Sequence, residues 1–129
     1  MFKRGEVYTL KLPKNEGNVQ GGTRPVVILS NDKSNDNSTI IHFAPLTSKL
    51  KKLNLPVHII VNNQILEETS MVLCEQMDKM TQDEFSSLVK NKKGKLSDED
   101  MIKISYGAAA QLGFSFLLKP TFYNKVIKQ

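Results

Sequence analysis

Residues 24–30 read Arg24-Pro25-Val26-Val27-Ile28-Leu29-Ser30, an apolar and largely β-branched run. A run of this length and composition is typical of a strand that is buried on both of its faces. We expect Pro25 at the start of the strand, because proline lacks the N–H group that a sheet ladder uses. The run therefore predicts a strand inside a sheet.

The residues around this run also have the pattern of strands. Residues 5–12 alternate, with Tyr8, Leu10 and Leu12 on one face, as in a half-buried strand. Residues 31–37 are rich in Asn, Asp, Ser and Lys and predict a turn. Further strands are predicted over residues 38–46, 56–61 and 70–76, with a short one over 77–80.

Two helices are predicted after the strands. Thr81 and Glu84 form a capping box that opens a short helix ending near residue 90. Ser97 begins a second helix with acidic residues in its first turn, and this helix ends near Gly113. Its apolar stripe consists of Met101, Ile104, Ala108 and Leu112. Strands followed by helices indicate an α+β fold, an antiparallel sheet or small barrel with helices on one side.

Length and composition predict one domain of ordinary globular type. The chain has 129 residues, of which 40% are hydrophobic and 24% charged. No stretch approaches the roughly 18 apolar residues that span a bilayer, and no secretory signal is recognisable. The one cysteine, Cys74, cannot form an internal disulfide or a cysteine-based zinc site. We expect a cytoplasmic protein with no membrane association, no metal and no cofactor.

The basic charge is concentrated in the first half of the chain. Residues 1–64 hold nine Lys and Arg against four Asp and Glu, whereas residues 65–129 hold nine of each class. Such an asymmetry favours a polyanionic partner such as nucleic acid, although solubility alone also explains a modest excess.

Two segments carry residues suited to phosphate. Gly21 and Gly22 can expose backbone N–H groups, and Arg24 follows them at the mouth of a rigid strand, where its guanidinium can fork onto a phosphate. The alternative is a tight turn with Arg24 in a surface ion pair. Thr47 ends the third strand, and a basic loop, residues 48–52, follows it. The hydroxyls of this segment can donate to phosphate oxygens or satisfy local N–H groups.

The remaining candidates are weaker. His42 and His58 could each act as a general base, but a histidine within a strand more often has a structural role. Glu75 and Gln76 close the fifth predicted strand after the apolar run 71–74. No residue spacing is typical of a metal site.

Five blocks occur together in one order along the chain: 4–8 (Arg-Gly-Glu-Val-Tyr), 20–32 (Gln-Gly-Gly-Thr-Arg-Pro-Val-Val-Ile-Leu-Ser-Asn-Asp), 45–48 (Pro-Leu-Thr-Ser), 55–59 (Leu-Pro-Val-His-Ile) and 70–76 (Ser-Met-Val-Leu-Cys-Glu-Gln). In these blocks the sequence resembles the MazF/PemK/Kid toxins of type II toxin–antitoxin modules. The resemblance covers residues 4 to about 112, and a domain over residues 1–113 with a C-terminal extension over 114–129 is expected.

The resemblance implies a compact SH3-like antiparallel β-barrel that acts as a homodimer. It implies a metal-independent endoribonuclease that cuts single-stranded RNA, usually mRNA, through the RNA's own 2′-hydroxyl, and an acidic, partly disordered antitoxin as partner. The family's catalytic arginine and threonine match Arg24 and Thr47. The RNA-binding residues that it implies are Gln20, Gly21, Gly22, Thr23, Ser48, Lys49, Lys51, Lys52, Glu75 and Gln76.

One departure keeps alternatives open. Many relatives carry an acidic residue before the Gln-Gly pair, where this chain has Val19, although Glu16 is nearby. A nuclease-dead SH3-like protein that binds nucleic acid or an antitoxin is therefore a second reading. A barrel that recognises peptides in a groove is a third, which the absence of tryptophan disfavours.

Overall fold

The structure, a computed structural model, describes residues 1–12 and 22–114. These residues form seven strands and three helices in chain order: β1 (Glu6–Leu12), β2 (Gly22–Ile28), α1 (Asp32–Asn37), β3 (Ile40–Thr47), β4 (His58–Val61), β5 (Ser70–Leu73), β6 (Asp78–Thr81), α2 (Gln82–Leu88), β7 (Val89–Lys95) and α3 (Asp98–Gln111). A 3₁₀ turn, Cys74–Gln76, joins β5 to β6. None of the described helices has the length and apolar character needed to cross a membrane.

The strands form one antiparallel sheet in the order β4-β5-β3-β2-β1-β7, and β6 also pairs with β3. The predicted antiparallel α+β fold is confirmed. Within the described residues β4 and β7 lie at the two ends of the sheet and do not pair with each other, so the sheet is barrel-like without closing.

A broken strand runs along one edge of β3. Leu46 of β3 pairs with Val72 of β5, whereas Phe43 pairs with Asp78 of β6, so three steps on β3 match six on its neighbour. The 3₁₀ turn takes up the three extra residues. The predicted strand over 70–76 is therefore wrong after Leu73, and Glu75 projects from a bulge rather than from a strand.

Both faces of the sheet are buried, because a helix covers each one. Neighbouring residues of a strand point to opposite faces, and Val7 and Tyr8 accordingly enter two different clusters. The Val7 cluster contains Met101 and Ile104 of α3, and the Tyr8 cluster contains Phe85 of α2. The expectation that the helices share one side is wrong.

Strand β7 extends the sheet beside β1, and the sequence analysis did not predict it. Glu6 is buried at this seam, where its carboxylate accepts hydrogen bonds from Lys92, from the backbone N–H of Lys3 at 2.6 Å and from the Tyr8 hydroxyl at 3.0 Å. Burial acts to raise the pKa of Glu6, but these hydrogen bonds together lower it below its ordinary value. The carboxylate therefore stabilises the joint between β1 and β7 in its charged form.

The predicted first residues of the helices agree with the structure better than the predicted buried faces do. Thr81 accepts a hydrogen bond from the Glu84 N–H and Ser97 from that of Asp100, each at 3.1 Å, which confirms both predicted caps. Where a turn was predicted at residues 31–37, the short helix α1 begins after Asn31, whose side chain caps it.

The predicted stripe of α3 is partly wrong. Met101, Ile104 and Gly107 are buried, whereas Leu112 is 65% exposed beyond the last helical residue. Gly107 lets the helix approach the sheet closely, because a Cβ at this position would lie 2.7 Å from Cys74 Sγ and from Ile59 Cγ1. The structure thus gains its close contact from a residue without a side chain.

Candidate active site

Arg24 stands on β2, where its position is fixed by pairing with Leu10 of β1. Contrary to expectation, the strand begins at Gly22 and Pro25 lies within it. Proline is tolerated there because β3 pairs with β2 only from Val26 onward, so position 25 has a partner strand on one side only. The half-buried Arg24 therefore projects from a strand held by the sheet rather than from a free loop.

Thr47 ends β3, the strand next to the one that carries Arg24. The pairing of these two strands ends at Val26 and Pro45, and Arg24 and Thr47 each lie two residues beyond that pair. Both side chains line two adjoining cavities, a first cavity of about 550 Å³ and a second cavity of about 660 Å³. The two residues matched to a catalytic pair thus line the same cavities.

The Thr47 hydroxyl makes a local turn contact and keeps its own donor. Its oxygen accepts a hydrogen bond from the Lys49 N–H at 3.1 Å, which is the local turn contact anticipated as the alternative. A hydroxyl also has one hydrogen to donate. The turn contact orients the oxygen, and the hydrogen remains available for an anion in the cavity.

The second cavity is strongly basic. Four of its lining side chains are cations and one is a carboxylate: Arg24, Lys49, Lys51, Lys52 and Glu75. All three lysines are exposed on the basic loop, where they can reach a phosphate chain. Gln76 also lines this cavity, so both polar residues of the 3₁₀ turn face the same space as the basic loop.

The first cavity has mixed charge. Thr23 and Ser48, two residues of the predicted RNA-binding set, line it beside Arg24. Glu67 and Glu68 face the same space, together with Asn91 and Lys93 of β7. Asn91 and Lys93 were not predicted as site residues, because β7 lacks the alternation of apolar residues that indicates a strand.

The predicted glycine loop is described only in part. Gln20 and Gly21 lie outside the described residues, as do Val19, Glu16 and the extension after Phe114. Gly22 begins β2 with a φ of +124°, a backbone conformation that L side chains rarely adopt, and a Cβ there would have no neighbour within 4 Å. Its glycine is therefore required by the backbone and not by crowding.

His58 lies at the site, although a structural role is the more common one for a histidine within a strand. Its side chain is 6% exposed and lines the second cavity, with Nε2 at 2.6 Å from Glu75 Oε2 and Nδ1 at 3.0 Å from the Lys52 carbonyl. His42, by contrast, is exposed on β3 opposite Lys79 of β6. Both histidines are candidates from the sequence, but only the folded structure shows that His58 is buried beside the cavity and that His42 is exposed.

The described residues offer neither a metal site nor a reactive thiol. No three His, Cys, Asp or Glu side chains there are grouped so as to hold a metal ion. Cys74 is buried, and burial raises the pKa of its thiol to about 12. This thiol is therefore a core side chain and not a nucleophile.

A family model and several solved structures are similar to this chain. Residues 3–112 match the model of the PemK-like, MazF-like toxins of type II toxin–antitoxin systems. A mycobacterial endoribonuclease solved with its cognate antitoxin superposes with a TM-score of 0.70 at 21% identity, over 93% of this chain and all of that one. MazF from a Deinococcus radiodurans MazE–MazF complex gives 0.67 at 17% identity, over 86% of this chain and 95% of its own.

The Mycobacterium tuberculosis toxin MazF-mt6 has the same fold, with a TM-score of 0.62 at 17% identity over 83% of this chain and 95% of that one. These identities are low, so the structures establish the fold, while the family match spans most of the sequence. With the fold of these toxins and a family match over residues 3–112, the chain belongs to the PemK-like, MazF-like toxins of type II toxin–antitoxin systems.

Proposed function

We propose that the protein is a metal-independent endoribonuclease that cuts single-stranded RNA, with Arg24 and Thr47 as its catalytic residues. The observation that carries this proposal is their shared position: both line the same two cavities from neighbouring strands. A phosphate bound between them would meet a guanidinium from one strand and a hydroxyl from the other.

The reaction needs no external nucleophile. The 2′-oxygen of one nucleotide bonds to the adjacent phosphorus, and the bond from that phosphorus to the next 5′-oxygen breaks. The 2′-hydroxyl gives up its proton to solvent or a base, the 5′-oxygen takes up a proton, and the products are a 2′,3′-cyclic phosphate and a 5′-hydroxyl. Because the RNA supplies the nucleophile, no metal-bound hydroxide is required.

The protein's task is then to stabilise charge on the phosphoryl oxygens. Negative charge accumulates there in the transition state, and fixed donors aimed at it lower the barrier. Arg24 can donate two parallel hydrogen bonds, and an arginine stays protonated at physiological pH, so its role is electrostatic. Thr47 donates through the hydroxyl that the Lys49 N–H orients.

The two cavities suit an RNA chain that passes the catalytic pair. Lys49, Lys51 and Lys52 would contact the backbone phosphates on one side, and Thr23 and Ser48 on the other. Carboxylates and amides read exposed base edges in single-stranded RNA, which is the role we assign to Glu75 and Gln76. Gln20, Gly21 and Gly22 complete the proposed RNA-binding set.

The same basic surface supports a protein partner. The mycobacterial endoribonuclease and the Deinococcus MazF were solved with an antitoxin or MazE. We propose that an acidic, partly disordered antitoxin segment binds the second cavity here, since it would compete for the cations that hold RNA. We place the action of the toxin in the cytoplasm, where mRNA is available.

A homodimer of the domain over residues 1–113 completes the proposal. The apolar residues of β5 are buried within one chain and provide no dimer surface. Three apolar side chains are exposed elsewhere, and we assign them to the dimer surface: Leu53, Ile60 and Ile102. Exposed apolar groups are a common feature of interfaces between copies of a chain.

The direct test is incubation of the protein with a long single-stranded RNA in excess EDTA. We expect discrete fragments whose 5′ ends accept phosphate from a kinase without prior dephosphorylation, because they carry hydroxyls. Replacing the 2′-hydroxyl by hydrogen at the cleaved position should stop cutting. RNA that stays intact but binds would support the nuclease-dead reading, and cutting that requires added metal would contradict the mechanism.

A further inference from the structure

His58 occupies an unusual place for an ionisable side chain. It is the first residue of β4, its imidazole is nearly buried, and it lines the second cavity together with Arg24 and Thr47. The catalytic scheme above does not use it. Its two ring nitrogens nevertheless make polar contacts at 2.6 Å and 3.0 Å, and these contacts join two separate segments of the chain.

Both ring nitrogens face groups that accept hydrogen bonds. Nδ1 lies 3.0 Å from the Lys52 carbonyl oxygen, and Nε2 lies 2.6 Å from Glu75 Oε2. A neutral imidazole carries one N–H and can satisfy only one of these acceptors. The ring satisfies both acceptors only when each of its nitrogens carries a hydrogen. The geometry is that of an imidazolium.

The charges around His58 come from several elements. Burial acts to lower the pKa of His58, but the hydrogen bond to Glu75, the backbone hydrogen bond at Lys52 and the charge of Glu75 together raise it above its ordinary value. The charged groups that line the second cavity with His58 come from β2, the basic loop and the 3₁₀ turn: Arg24, Lys49, Lys51, Lys52 and Glu75. His58 also lines a third cavity, of about 380 Å³, into which Asp100 and Lys103 of α3 face.

The contact to Lys52 restrains a strained point of the chain. Lys52 has a φ of +54°, and it is the one described residue other than glycine with a positive φ. Its carbonyl also accepts the Leu55 N–H at 3.3 Å, and the His58 N–H donates to the Leu55 carbonyl at 3.0 Å. His58 therefore fastens the end of the basic loop through its ring and its backbone, and fastens the loop to the 3₁₀ turn through Glu75.

We propose that His58, as an imidazolium, is a positioning residue that clamps the basic loop to Glu75 and so holds the phosphate-binding lysines beside Arg24 and Thr47. This proposal rests on the proposed RNA cleavage for its consequence, but the clamp itself is a property of the free protein. Loss of the ring proton removes one of the two bonds, and the loop is then released from the 3₁₀ turn.

The direction of the pH effect follows from linkage. A histidine whose folded pKa is raised contributes stability that is complete below its unfolded value, near pH 6.5, and is lost as the pH rises through the folded value. The clamp therefore weakens between pH 6.5 and the folded pKa and levels off above it, and RNA affinity falls as the clamped fraction falls.

The first experiment follows the His58 ring by NMR in the free protein, without RNA. We expect a pKa above 6.5, a decrease on Glu75→Gln, and backbone amides of residues 49–55 that titrate with the same midpoint. A pKa at or below 6.5, or loop amides that do not follow it, would overturn the clamp. Because this measurement uses no RNA, its result stands whether or not the protein is a nuclease.

The second experiment measures affinity for a 2′-O-methyl oligoribonucleotide, which cannot be cut, between pH 6 and pH 8.5. Wild-type affinity should weaken above the His58 midpoint, and the exposed-histidine control His42→Gln should behave identically. His58→Asn retains a donor toward Lys52 without a titrating ring, so it should bind better than His58→Ala and show a flat pH profile. An unchanged pH profile in His58→Asn would overturn the proposal.

Discussion

At the scale of single residues, the proposed chemistry depends on two side chains that line the same cavities from neighbouring strands. Arg24 is fixed by the β1–β2 ladder and Thr47 by the end of β3, so neither relies on a free loop for its position. Both could be predicted from sequence, because each stands in a block that resembles the family. The role of His58 could not, since its partners, Lys52 and Glu75, meet only in the folded chain.

The Thr47 hydroxyl can be tested by a pair of substitutions. Thr47→Ala should lower the cleavage rate by about 10- to 100-fold, because a hydrogen bond to a charged group contributes about 1.5–3 kcal/mol. Thr47→Ser keeps the hydroxyl and should stay within a few-fold of wild type. Single-turnover rates with circular dichroism as a fold control check this, and equal losses in both variants would contradict a hydroxyl role.

At the scale of elements, helix caps can be predicted from the sequence more reliably than the pairing of strands that are distant along the chain. The caps at Thr81 and Ser97 were predictable, because a cap depends on residues three apart. Strand β7 was not, since its sequence is rich in lysine and lacks alternation, and only pairing with β1 makes it a strand. The break after Leu73 likewise comes from a change of register against β3.

The basic loop carries an electrostatic prediction. Replacing Lys49, Lys51 and Lys52 together with glutamine should flatten the slope of log K against log salt for RNA binding by about one to two, because each phosphate neutralised on a single strand contributes about 0.7. Titrations at four salt concentrations would measure it. Lys33→Gln, on the exposed face of α1, is the control. An unchanged slope in the triple variant would remove the loop from the binding surface.

The close approach of α3 carries a stability prediction. Gly107→Ala adds helix propensity of about 0.8–1.0 kcal/mol, but its Cβ would lie 2.7 Å from Cys74 Sγ and Ile59 Cγ1, and overpacking costs about 1–3 kcal/mol. The free energy of unfolding should therefore decrease by about 1 kcal/mol in urea titrations. An increase would show that the helix can shift outward without loss.

At the scale of the whole molecule, a helix packs on each face of the sheet. Phe85 of α2 packs on one face and Ile104 of α3 on the other, which leaves the strand ends that carry Arg24 and Thr47 at a rim. The strands other than β7, and their antiparallel arrangement, could be predicted from the pattern of hydrophobic residues. The openness of the sheet and the placement of the helices could not, because they depend on which face each helix finds.

A homodimer is the prediction at this scale. Light scattering at micromolar concentration should give a mass close to twice 14.5 kDa. Ile102→Glu, which places a charge on the exposed apolar face of α3, should shift the mass toward that of one chain, and Lys33→Glu should not. A wild-type mass of one chain at all concentrations would contradict the dimer and leave the cleavage proposal unaffected.

The central claim is that Arg24 stabilises the transition state of RNA cleavage, and one rate comparison tests it most directly. Single-turnover cleavage of one RNA is measured in EDTA for wild type, Arg24→Ala and the distant control Lys33→Ala. The account predicts a loss of about 10²–10³-fold for Arg24→Ala, as is typical when one preorganised donor is removed, and no loss for the control. An Arg24→Ala protein that cuts within about threefold of wild type, far below that expected loss, would contradict it.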